Sequence, residues 1–191
     1  ASPHKSVADV IAALKKSPDK MSFASSGNGS SDHLTAELFW LQTGTSGTHV
    51  PYKGGAPAIT AMLAGEVQVY MASLSVGKGQ IDAGKLKALA TTSAVRLAAL
   101  PQVPTSKEAG APDYRMTNWW GLAAPKGTPP AALAWIQKEF SQSLREPEIV
   151  KRLEELGFVV LAGTPEQFEE RVRRESAEYQ SLIKTRNISA Q

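Results

Sequence analysis

Apolar residues first recur with helical spacing at Val7, Ile11 and Leu14. Ser6 and Asp9 form a capping box ahead of them, so a helix is expected until Ser17-Pro18 stops it. MSFAS, residues 21 to 25, then reads as a short strand. Leu34, Leu38 and Leu41 return to a helical stripe over Ser31 to Thr43, and Gly44 ends it. The order repeats with THVPY (48 to 52) as a strand and residues 56 to 64 as a short helix, with Pro57 in its first turn and Gly65 behind it. EVQVYMA (66 to 72) alternates with period two and is expected as a third strand. VGKGQIDAG (76 to 84) is expected to turn the chain back, and KLKALATTS (85 to 93) to form the next strand. Such alternation argues for an α/β lobe with a parallel-rich sheet flanked by helices, in which ligands bind at the carboxyl ends of the strands.

The texture changes at Leu100. LPQVPTSKEAGAPDY (100 to 114) is rich in Pro and polar residues, and RMTNWWGLAAP (115 to 125) is apolar, which fits a linker and then a crossing strand. Trp119 and Trp120 would point to opposite faces of that strand, one into a core and the other toward a cleft. Helices are expected over 130 to 144 and 147 to 156, a strand at GFVVLAG (157 to 163) and a long helix over 165 to 186. That last helix carries Phe168, Val172, Tyr179, Leu182 and Ile183 on one side and Glu and Arg on the other. So few strand candidates make an incomplete sheet lobe.

Composition narrows the function classes. The 21 basic and 18 acidic residues are interspersed, and a net charge of +3 gives weak support for a nucleic acid or a membrane surface as partner. With no cysteine there is no thiol catalysis, thiolate metal site or disulfide. His4, His33 and His49 lack metal-ligand spacing, so neither a metal nor a cofactor is expected.

The candidate chemistry lies in the loop SSGNGSSDH (25 to 33), between a strand and a helix. Ser25, Ser26, Gly27, Asn28, Gly29, Ser30 and Ser31 would present free backbone N–H groups and hydroxyls at the positive end of a helix dipole, which attracts an anion. A capped turn without any ligand has the same composition. A phosphate-binding Lys-Ser/Thr ending is absent, and Asp32 stands where the dinucleotide pattern needs its last glycine. Serine hydrolysis would require Ser30 to meet His33 three residues on, without the G-x-S-x-G elbow. Two more strand ends offer small or polar groups: Tyr52, Lys53, Gly54 and Gly55 in one, and Ala72 and Ser73 in the other. Three strand ends aimed at one place are what a ligand site requires.

FASSGNGSSDHLTAELF, HVPYKGGAPAITAMLAGEVQVYMASL, AGKLKALATTSAVRLAALPQVPTSKEAG and NWWGLAAPKGTPP, in that order, closely resemble the substrate-binding receptors of tripartite tricarboxylate transporters, the Bug or TctC family. The resemblance runs through essentially the whole chain. It implies a periplasmic-binding-protein-like fold (type II) in which two α/β lobes close on a mono-, di- or tricarboxylate. It also implies a periplasmic location, delivery to a membrane permease, and no catalysis. On this pattern residues 1–113 are a complete ligand-binding lobe, the family's second domain. Residues 114–191 are the crossing strand and C-terminal helices of the other lobe, the family's first domain. The family's N-terminal segment, with its Gly-Gly loop, has no counterpart, so the expectation is a receptor fragment with half of its site. The resemblance places Ser25 to Ser31, Tyr52 to Gly55 and the Ala72-Ser73 strand end at the ligand, and His33 is expected among the ligand-binding residues with them. The acidic or amide side chain that many members carry near Ala72-Ser73 is missing. An incomplete lobe would expose Trp119, Trp120, Val159 and Val160 and allow a homodimer by strand exchange. The competing readings are a small esterase using Ser30 and His33, and a noncatalytic interaction module.

Overall fold

The computed structural model describes residues 3 to 111 and 116 to 189. Its first helix, α1 (Val7–Lys16), starts at the expected capping box, with Ser6 and Asp9 each satisfying the other's backbone N–H, and buries Val10 and Leu14. The chain continues through β1 (Ser22–Ser25), α2 (Ser31–Thr43), β2 (Thr48–Pro51), α3 (Gly55–Ala64), β3 (Val69–Tyr70) and α4 (Leu74–Asp82). The three strands are parallel in the order β2-β1-β3, with Phe23 opposite His49 on one side and Val69 on the other.

Because successive residues of a strand face opposite ways, β1 seeds a core on each face of the sheet. Phe23 packs with Val10, Leu14, Phe39 and Trp40 beneath α1 and α2. Its neighbour Ala24 packs with Ala58, Ala61 and Val67 beneath α3. This arrangement sends the carboxyl ends of all three strands toward the starts of α2, α3 and α4.

Several expectations are corrected. Residues 76 to 84 do not turn back but lie largely in α4. Their glycines suggest a loop, yet Gly77 is buried with Ile59 of α3 beside it, and a Lys78–Asp82 ion pair at 2.7 Å bridges one helical turn. The third strand is only Val69–Tyr70, and residues 85 to 93 make an isolated bridge, Thr91 to Thr105, in place of a strand. Thr91 exchanges its backbone bonds with Pro104 and Ser106, which takes that segment out of the sheet.

The second part of the chain forms α5 (Pro130–Ser143), α6 (Pro147–Glu155) and α7 (Pro165–Arg186) as the periodicity predicts. The strands expected at 115 to 125 and 157 to 163 do not form among the described residues. A strand needs a neighbour to take its N–H and C=O groups, and none of the described residues lies alongside as one. Their apolar side chains are left in water: Trp120 is 63% exposed and Val159 72%. Trp119 is half-buried, edge-on to Phe168, and donates its Nε1–H to Glu175 at 2.6 Å, while Val160 is half-buried.

α7 packs back onto α2. Leu182 packs with Leu34 and Met116, and Arg186 pairs with Glu37 of α2 at 2.5 Å. The division expected at 113/114 lies outside the described residues. Among the described residues no helix is long and apolar enough to cross a membrane.

Candidate functional site

The loop after β1 is built from within. Ser25 is fully buried, and its Oγ bonds both the Gly27 backbone and His49 Nε2, the latter at 2.6 Å. Ser30 caps α2, its hydroxyl accepting the His33 N–H at 3.3 Å. Gly29 N–H donates to His33 Nδ1 at 3.1 Å, which leaves Nε2 to face Glu37 at 3.5 Å. The His33 and His49 rings stack with centroids 3.6 Å apart and 8° between their planes.

These bonds decide which groups remain for a ligand. Ser26 N–H goes to Asp32, Gly27 N–H to Ser25 and Gly29 N–H to His33, whereas no partner within the described residues takes the backbone N–H of Asn28, Ser31 or Asp32. Those three amides sit in the loop and first turn of α2, where the helix dipole is positive.

The other strand ends are fastened to the same loop. Tyr52 N–H donates to Ser25 O at 2.9 Å, and Gly54 N–H to Ser26 O at 3.1 Å. Gly55 opens α3 so close to the third strand that an added Cβ would lie 2.9 Å from Val76 and 3.3 Å from the Tyr70 hydroxyl. Tyr70 donates to Asp32 at 2.9 Å. Three helix starts therefore meet over β1.

Among the expected residues, Ser26 to Ser31, Gly54 and Gly55 share this half-buried surface. Lys53 is exposed beside it. The Tyr52 ring turns away toward a groove with Pro57, Thr60 and Glu66, where burial and the Glu66 charge raise its pKa. Ala72 and Ser73 are half-buried, and Ser73 Oγ accepts from Asn118 of the crossing segment at 2.6 Å.

The hydrolase alternative gains nothing from these positions. Ser30 Oγ and His33 Nδ1 both accept backbone N–H groups, and Ser25, which does pair with a His49 ring nitrogen, is sealed from solvent. Among the described residues no group of His, Asp and Glu side chains is arranged to hold a metal.

Burial, with His33 alongside, lowers the His49 pKa from 6.5 to about 4, the Glu37 charge opposing the shift. Burial works against the Glu37 charge, yet hydrogen bonds from His33 and Arg186 hold its carboxyl below the ordinary value. Between pH 4 and 6.5 the unfolded chain therefore binds a proton at His49 that the folded chain refuses. Its stabilising contribution is complete above pH 6.5 and is lost as pH falls toward 4. Urea midpoints should drop between pH 7 and pH 5, and the drop should shrink in His49→Gln; an equal drop in that variant would contradict it.

Asp32, Tyr70, His49 and Asn118 are the site groups that sequence reasoning misses. For Asp32 a signal exists, a carboxylate in the first turn of a helix under a candidate anion loop. The other three join the site through the fold alone.

The family model for the tripartite tricarboxylate transporter family receptor matches residues 1–188. The UPF0065 protein in the tcbD-tcbE intergenic region of Pseudomonas sp. (strain P51) is 33% identical over 187 residues, covering 97% of this chain and 56% of that protein. Protein BugT of Bordetella pertussis is 34% identical over 158 residues, covering 83% of this chain and 48% of that protein. The chain thus spans about half the length of these relatives. The structure of R. palustris Rpa4515 with adipate superposes with a TM-score of 0.93 at 32% identity, covering 100% of this chain and 64% of that one. MatC (Rpa3494) from Rhodopseudomonas palustris with bound malate gives 0.83 at 27% identity, over 95% of this chain and 63% of that one. In both cases more than a third of the other chain is left unmatched, so one lobe is incomplete in these 191 residues. By sequence and by fold, the chain belongs to the family of tripartite tricarboxylate transporter receptors.

Proposed function

We propose that this chain captures a small organic carboxylate in the periplasm for delivery to the membrane permease of a tripartite tricarboxylate transporter. The observation that carries this reading is the meeting of three helix starts at the carboxyl ends of three parallel strands, with the amides of Asn28, Ser31 and Asp32 unpartnered there among the described residues. A carboxylate accepts several such N–H groups at once, and the dipole of α2 favours its charge. In this reading Ser26 to Ser31, Gly54 and Gly55 touch the ligand. Ser25 and His33, both buried, shape the loop from behind, and Tyr52 packs its outer side. Ala72 and Ser73 border the site next to Asn118, whose hydrogen bond to Ser73 ties the proposed lobe of residues 1–113 to the segment 114–191. Binding and release break no covalent bond, so no residue is given a catalytic role.

Family membership and the similar proteins that hold adipate and malate support a carboxylate ligand. Calorimetric titration with adipate, malate and citrate is expected to give saturable binding of at least one, with no turnover of ester substrates. Ester turnover abolished by Ser30→Ala would contradict the proposal.

A further inference from the structure

A site for an anion should not need a buried carboxylate, yet Asp32 stands in the first turn of α2 and is 5% exposed. Its Oδ2 accepts the Ser26 N–H and the Tyr70 O–H, each at 2.9 Å, and its Oδ1 accepts the Ser31 O–H at 3.1 Å. Asp32 therefore withdraws two donors from the loop and sets a full negative charge behind the amides that remain. The start of α2 supplies only about half a positive charge. His33 presents an accepting nitrogen to the loop, and Lys53, the cation at the neighbouring strand end, is exposed to water. The loop is thus rich in directional hydrogen-bond donors but poor in positive potential.

That combination separates ligands by charge. Hydrogen bonds to the Asn28 and Ser31 amides are available to any oxyanion, whereas repulsion from a fixed charge grows in proportion to the charge brought in. We propose that Asp32 sets the charge selectivity of this loop, admitting a singly charged carboxylate group and disfavouring doubly charged oxyanions of similar size. The proposal rests on the reading of the loop as a carboxylate site and adds to it a residue that excludes sulfate-like and phosphate-like ligands. Tyr70 supports the device, because burial and the Asp32 charge keep its phenol protonated and donating.

Asp32→Asn tests the charge without changing the shape. The amide oxygen can accept from Ser26 and Tyr70, and the amide nitrogen can donate to the Ser31 hydroxyl. The full chain and this variant would be titrated with sodium acetate and with sodium sulfate at constant ionic strength, following the backbone amide signals of Asn28 and Ser31. The wild type is expected to prefer acetate, and the variant to gain about tenfold more affinity for sulfate than for acetate. A purely structural role would weaken both anions together, so an unchanged sulfate-to-acetate ratio overturns the proposal and leaves the carboxylate reading intact. A wild type that prefers sulfate overturns it even if the variant fails to fold. If neither anion shifts these amides in either protein, the carboxylate reading fails and the selectivity falls with it.

Discussion

Phe23→Ala is expected to remove a large share of the stability of the sheet and the helices packed on it. The side chain is fully buried in the central strand, its ring 5.0 Å from Trp40 in an edge contact and 6.3 Å from Phe39. These neighbours come from α2, and Val10 and Leu14 of α1 close the other side, so one ring joins two helices to the sheet. Truncation would leave a cavity that the neighbours cannot easily fill. The Trp40 ring is already pinned, with Gly47 so close that an added Cβ would approach it to 2.8 Å. A Phe-to-Ala change in such a core costs about 3–5 kcal/mol, against a total of about 5–15 kcal/mol for a typical domain. Urea unfolding followed by circular dichroism should show that loss, and a change below about 1 kcal/mol would contradict the packing described.

Gly54→Val should have the largest effect on ligand binding that leaves the lobe folded. Gly54 has φ 110° and ψ 170°, a backbone conformation closed to side chains with a Cβ, and it is the residue from which α3 begins. Its N–H also donates to Ser26 O, fastening the second strand end to the anion loop. Valine would force the peptide to rotate, at about 1–3 kcal/mol, moving the start of α3 and releasing that hydrogen bond. Carboxylate affinity is expected to fall at least about tenfold while the far-ultraviolet spectrum stays native, since a displacement worth about 1.4 kcal/mol is already tenfold. Unchanged affinity in a folded variant would mean that the second strand end plays no part in the site.

Helix ends are the most legible features of the chain, because their signals are local. Ser6 with Asp9 and Thr164 with Gln167 form capping boxes, and Gly44 and Gly65 end their helices in the left-handed conformation. Local reasoning fails at α4, where Gly77 serves contact with α3 instead of a turn. It also fails at 116 to 125 and 157 to 163, where strand-like apolar patterns have no sheet to join among the described residues. The loop at 25 to 31 stands out in the sequence, but its internal bonds do not. Ser25 meets His49 across 24 residues and Asp32 meets Tyr70 across 38, and only the parallel order of the strands brings them together. Residue type points to an anion site; which amides are left for the anion depends on contacts that no local pattern encodes.

The most direct test of the account is to map backbone amide signals of the whole chain while adding adipate. The account predicts that the largest changes fall on Asn28, Ser31 and Asp32, with Gly54 and Gly55 following at the same concentrations. Changes confined to the Tyr52–Glu66 groove, or spread evenly over exposed lysines and arginines, would contradict it.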